Sequence, residues 1–183
     1  DFIECCKRPS SDDGARDAPE RHRTLRAALE WSFGLLDTAD ARTLQRLSVF
    51  AGSFTPALAH AVAGEPGAAE WQTLDALQNL QDHSLLAIDT GHGPPRLRLL
   101  ESVRALATER LRASGDDEVT RTRLAQALGA LFGSAQAQYT RTPLLHWLQP
   151  LRPEADNLRV AMAHALALLP AEVPVPPAAA PAG

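Results

Sequence analysis

The chain has 183 residues, 45% of them hydrophobic, with 18 Lys and Arg against 22 Asp and Glu for a formal net charge of −4 at pH 7. That length and apolar content allow one domain or one and a half with a real core, and the mild acidity gives no electrostatic reason to expect nucleic acid, a membrane surface or an acidic substrate. No apolar run approaches the roughly 20 residues of a membrane span, and the acid-bearing start DFIECCKRPSSDDGARD lacks an export signal, so a cytoplasmic location is expected.

Residues 1–20 are polar and turn-rich, and Asp12, Asp13, Gly14 and Pro19 argue against a helix, so this stretch reads as a linker. Cys5 and Cys6 are adjacent and lack metal-ligand spacing, which makes them free thiols in a reducing compartment. From Thr24 to Phe54 the pattern predicts two packed helices. Leu25, Ala28, Leu29, Ser32, Phe33 and Leu36 form an apolar stripe that Trp31 and Leu35 widen. Asp37 is the expected N-cap of the second helix, with Asp40 in its first turn, Leu44, Leu47 and Phe50 along it, and Gly52 as a left-handed stop.

Thr55 and Pro56 then open a short helix through Val62, ended by Gly64, Pro66 and Gly67. Trp71, Leu74, Leu77 and Leu80 mark a fourth helix. Leu85–Ile88 and the alternating Arg96–Leu99 flank Gly91, His92, Gly93, Pro94 and Pro95, a β-hairpin signal. Helices followed by a hairpin describe a winged-helix arrangement.

Val103, Leu106, Ala107, Arg110 and Leu111 continue as an amphipathic helix stopped by Gly115. Asp116 opens a long helix carrying Leu124, Leu128, Leu131, Phe132, Ala135 and Tyr139. Thr142 and Pro143 start a short helix through Leu148, Pro150 and Pro153 punctuate, and Leu158, Ala161, Met162, Ala165 and Leu169 form the last helix. The tail VPVPPAAAPAG is Pro/Ala-rich and reads as disordered or as a linker within a larger protein. The expected fold class is mainly α: a winged-helix domain over 21–113, a helical, TPR-like segment over 114–169, and a disordered tail over 170–183.

Four blocks, RTLRAALEWSFGLLD, LQRLSVFAGSFT, LRLLESVRALATERL and EADNLRVAMAHAL, resemble in that order the region downstream of the nucleotide-binding domain in bacterial STAND-type, NB-ARC-like predicted ATPases. Those proteins are often fused to LuxR-type or SARP-type transcriptional regulators. The resemblance spans roughly residues 17–169 and implies a winged-helix domain followed by a TPR-like sensor beginning at EADNLR. It also implies that the winged helix docks on a nucleotide-binding domain and relays a signal, with a protein ligand on the helical segment. No GxxxxGK[ST] occurs in the chain, so the chain itself holds no cofactor and ATP or ADP would bind an upstream domain.

In plant relatives of that family a Met-His-Asp motif stands where this chain has Leu99, Leu100 and Glu101. Leucine cannot donate a hydrogen bond to phosphate, so Leu100 cannot replace the histidine's contact. The regulatory interface implied by the resemblance comprises Leu99, Leu100, Glu101, Arg104 and Arg23, the last from the basic cluster Arg21, Arg23 and Arg26.

The alternatives are a DNA-binding winged-helix regulator and a fragment with protein-interaction activity alone. Direct DNA reading is disfavoured because the fourth helix, WQTLDALQNLQD, carries Asp75 and Asp82 and no Lys or Arg, leaving Gln72, Gln78, Asn79 and Gln81 as its base-reading candidates. His22, His60, His83, His92, His146 and His164 include no i, i+4 pair for a metal, and no GxSxG marks a nucleophile, so no enzyme activity is expected.

Overall fold

The computed structural model describes residues 14–89, 95–139 and 149–168, with side chains over 24–89, 95–135 and 151–168. The described elements are α1 (Gly14–Gly34), α2 (Thr38–Leu47), α3 (Pro56–Ala63), α4 (Glu70–Asp82), β1 (Leu86–Asp89), β2 (Arg96–Leu99), α5 (Glu101–Ser114), α6 (Asp117–Tyr139), a 3-10 turn (Gln149–Glu154) and α7 (Ala155–Ala167). The fold is mainly helical, with a winged helix at its centre.

The local signals act as their chemistry requires. Asp37 accepts the Asp40 N–H at 2.7 Å, and Thr55 Oγ1 accepts the Leu58 N–H at 3.2 Å with Pro56 in the first turn. Gly115 adopts φ +82°, the left-handed conformation that ends α5. β1 and β2 pair antiparallel with Leu86 opposite Leu99 and Ile88 opposite Leu97. A third, single-residue strand joins them: Phe54 and Leu97 exchange backbone bonds of 2.8 and 2.9 Å.

One core runs through the molecule. Phe33, Leu44, Leu47, Phe50, Phe54, Val62, Leu80, Leu97, Val103 and Leu111 share it with Leu124 and Leu128 of α6 and Ala161 of α7. The rings of Phe50 and Phe54 stack with centroids 4.4 Å apart. α6 lies on α3 and α7, so the helices after the hairpin are continuous with the winged helix in packing.

Several expectations are corrected. α1 begins at Gly14, inside the stretch read as a helix-free linker, and includes Pro19. Proline here forfeits one backbone bond near the helix end, among residues such as Ala15, Ala18 and Glu20 that favour helix. Among the described residues α1 packs chiefly on α5; Phe33 enters the core under the Arg110 guanidinium, 4.1 Å from the ring centre, while Leu25, Trp31 and Leu35 stay largely exposed. α2 ends at Leu47, with Phe50 beyond it, and Gly52 does not adopt positive φ.

In α4 the buried face is Thr73, Ala76, Leu77 and Leu80, and Trp71 and Leu74 point outward. In α7 the buried positions are Asn157 and Ala161, leaving Met162 exposed. The hairpin tip with His92, the helix from Thr142 through Leu148, Leu169, the tail, Cys5 and Cys6 lie outside the described residues, as do the side chains of Tyr139 and Trp147.

Candidate recognition helix and wing

The helix-turn-helix is α3, the turn over 64–69 and α4. His60 Nδ1 and Thr73 Oγ1, 2.8 Å apart, tie the two helices together. Gly64 lets the chain leave α3 closely: a Cβ there would lie 2.5 Å from the His60 carbonyl oxygen. On the opposite side Asn79 Nδ2 donates to Asp40 Oδ2 at 3.0 Å, fixing α4 against α2. Burial pushes the Asp40 carboxyl above its ordinary value, with Asp37 adding to the rise; the Asn79 hydrogen bond and nearby His83 oppose it.

The outward face of α4 carries Trp71 at 60% exposure and Leu74 at 43%, beside exposed Asp75, Gln78 and Asp82. No Lys or Arg lies on α4. The amides proposed to read bases are largely engaged within the protein: Gln72 Oε1 accepts the Ala69 N–H at 3.2 Å, Gln78 donates to Asp82 at 3.0 Å, and Asn79 is held by Asp40. An open groove of about 560 Å³ runs between α4 and the start of α2, lined among others by Asp37, Asp40, Arg42, Glu65, Trp71 and Asp75. Arg42 Nη1 and Arg46 Nη1 each lie 3.0 Å from Glu65 Oε1, and the Arg42 bond leads the effects that hold the Glu65 carboxyl below its ordinary value.

The wing carries two arginines of different fate. Arg98 is exposed on β2. Arg96 is turned inward: its Nε donates to Ser53 Oγ at 2.8 Å, and its Nη2 donates to the Ser53 carbonyl at 2.8 Å and to Glu154 Oε1. Glu154 is 1% exposed and Asn157 fully buried. Asn157 Oδ1 accepts the N–H groups of Ala51 and Gly52, each at 3.0 Å, and its Nδ2 donates to the Ser53 carbonyl and to Glu154 Oε2, each at 2.8 Å. These four bonds saturate the side-chain amide.

The residues of the implied regulatory interface are divided by the structure. Leu99 is buried in the core at the end of β2, whereas Leu100 is 44% exposed. Glu101 and Arg104 face solvent together through a forked pair with bonds of 2.7 to 3.2 Å. Leu100, Glu101 and Arg104 therefore share the α5 entrance, and Leu99 does not belong with them, because the period-two alternation of β2 turns it inward. The side chains of Arg21 and Arg23 lie outside the described residues. Arg26 bonds Glu30 at 2.9 Å and Glu109 at 3.1 Å, joining α1 to α5.

Sequence reasoning missed Glu154 and Asn157 as wing contacts. The available signal was a Glu and an Asn three residues apart at a helix start, which places both on one face without an apolar reason for burial. Among the described residues no three His, Cys, Asp or Glu side chains are grouped to hold a metal, and no helix is long and apolar enough to cross a membrane.

Residues 36–112 match the family described as "Winged helix-turn-helix domain". The chain is 37% identical over 154 residues to the Mycobacterium tuberculosis (strain H37Rv) protein named "Putative HTH-type transcriptional regulator Rv0890c", and equally to its Mycobacterium bovis counterpart "Putative HTH-type transcriptional regulator Mb0914c". Each match covers 82% of this chain and only 17% of the relative. It is also 36% identical over 110 residues to "Uncharacterized protein Rv0894" of Mycobacterium tuberculosis, covering 60% of this chain and 28% of that protein. No solved structure matches the chain significantly. The topology α3, turn, α4 and β-hairpin agrees with the matched family, and this chain carries a winged helix-turn-helix domain over residues 36–112 and is homologous to part of those mycobacterial proteins.

Proposed function

We propose that the chain is the winged-helix module of a larger transcription regulator, acting by binding and without a cofactor of its own, in the cytoplasm. Within that regulator, α4 presents its outward face to protein. The observation that carries this reading is the chemistry of that face: Trp71 and Leu74 are exposed beside Asp75 and Asp82, cations are absent from α4, and Gln72, Gln78 and Asn79 already have partners. Duplex phosphates need cations to offset their charge, whereas an exposed aromatic and leucine suit a protein surface. The resemblance read from the sequence points to a nucleotide-binding domain of the STAND type as the partner, with Leu100, Glu101 and Arg104 at its edge; the comparisons name an HTH-type regulator and no ATPase.

The second reading is direct DNA recognition through α4 and the wing. The family description and the relatives' regulator name favour it over ATPase docking, and exposed Arg98 gives the wing one phosphate contact. Fluorescence anisotropy with labelled duplexes from the gene's own upstream region, at low and physiological salt, separates the two. The protein-docking reading expects no submicromolar binding by this chain, and Trp71→Ala with Leu74→Ala to alter the output of the full-length regulator while the isolated chain stays folded. Submicromolar, salt-dependent binding lost in Arg98→Ala or Gln78→Ala overturns it in favour of DNA recognition.

A further inference from the structure

We propose that Glu154 and Asn157 form a clip through which α7 holds the wing, so that the order of the β-hairpin depends on α7 being seated. The inference is independent of whether α4 meets protein or DNA.

The wing has little of its own to hold it. Its two strands are four residues each, and an isolated two-stranded hairpin is marginal in water. It is anchored to the body by Leu86, Leu97 and Leu99, which enter the core, and by the reciprocal backbone bridge between Phe54 and Leu97. Both sides of that bridge adjoin the clip. Ser53, next to Phe54, gives its carbonyl to Asn157 and Arg96 and its hydroxyl to Arg96; Arg96, next to Leu97, reaches Glu154. Ala51 and Gly52, the residues leading into Ser53, give their N–H groups to Asn157. One acid and one amide at the start of α7 therefore fix both the segment entering the single-residue strand and the strand it pairs with.

The clip is polar and buried, so its bonds matter most while all of them are made. Seated, its donors and acceptors are matched away from water; displaced, the Glu154 carboxylate and the Arg96 guanidinium regain solvent together. α7 rests on α6, with Thr122 Oγ1 and His164 Nε2 3.4 Å apart, and α6 is tied to the recognition-helix turn by Arg123 donating to the Gly64 carbonyl at 3.1 Å. A partner that shifts α7 on α6 would thus act on the wing through residues 51–54, by a route separate from α4.

Amide hydrogen exchange of the whole chain tests the clip. In Asn157→Ala the Phe54 and Leu97 amides, neither bonded to Asn157 itself, should exchange at least about tenfold faster while α4 amides keep their protection. Glu154→Gln retains an acceptor without the charge and should give a smaller change in the same direction and at the same residues. Asp156→Ala, on the exposed side of the same turn, should leave the hairpin unchanged. Unchanged exchange at Phe54 and Leu97 in Asn157→Ala overturns the proposal, as does equal acceleration in α4 and the hairpin, which would make Asn157 part of the general core.

Discussion

Asp40 in α2 and Asn79 in α4 are joined by a 3.0 Å hydrogen bond that spans 39 residues of chain and sets α4 against α2. Burial raises the Asp40 carboxyl above its ordinary 3.8. The folded state therefore binds this proton more tightly than the unfolded chain does, and stability contributed by Asp40 falls as pH rises from 3.8 through the raised value, then levels. Asp40→Asn keeps an oxygen to accept from Asn79 and removes the titration. Urea unfolding should show the variant gaining on the wild type across that window and holding that gain at neutral pH.

Gly64 and Gly52 should respond oppositely to alanine. At Gly64 the added Cβ meets the His60 carbonyl oxygen at 2.5 Å, whereas at Gly52 its nearest neighbour is the Asp156 Cβ at 3.6 Å, an ordinary contact. Thermal or urea melts should show Gly64→Ala losing about 1–3 kcal/mol and Gly52→Ala staying within about 0.5 kcal/mol. A large loss at Gly52 would mean that the added methyl disturbs the Asn157 bond to the Gly52 N–H.

Leu99 and Leu100 are adjacent but differ in burial. Leu99→Ala should cost about 2–4 kcal/mol through the cavity it leaves. Leu100→Asp should leave the isolated chain folded by circular dichroism, with under about 1 kcal/mol lost. Under the docking proposal, Leu100→Asp in the full-length regulator should nonetheless change output, and normal output would remove Leu100 from the interface.

Phe54 is fully buried, stacks on Phe50 and pairs by backbone with Leu97. Phe54→Ala should cost about 3–5 kcal/mol, and Phe54→Leu, nearer in volume, less than half of that. Equal losses would mean that the ring stack matters more than the volume filled.

Signals that act within one turn of chain were legible in the sequence. Asp37 and Thr55 cap helices, Pro56 opens one and Gly115 closes one, because each depends on backbone groups within four residues; the alternation Arg96–Leu99 was legible because its period of two is carried by the strand itself. Signals that depend on what lies opposite were misread. Trp71 and Leu74 fit an apolar helical pattern, but the neighbours of α4 meet the face of Thr73, Ala76, Leu77 and Leu80. Leu25, Trp31 and Leu35 likewise form a stripe for which α1 finds little cover within the described residues. Gly52 was read as a helix stop because nothing local shows that its N–H is reserved for Asn157, 105 residues away. Leu99, Leu100 and Glu101 were grouped only through family resemblance, which says nothing of burial, and the structure buries Leu99 while leaving Leu100 exposed.

The reciprocal Phe54–Leu97 bridge gives the wing a third partner that fixes its place along the chain as well as its depth in the core. Among the described residues, register is set by Phe54 against Leu97 and by the pairing from Leu86–Leu99 to Asp89–Arg96. Substitutions that shift the pairing of the wing are therefore to be sought in its two strands and at Phe54, where the register is set.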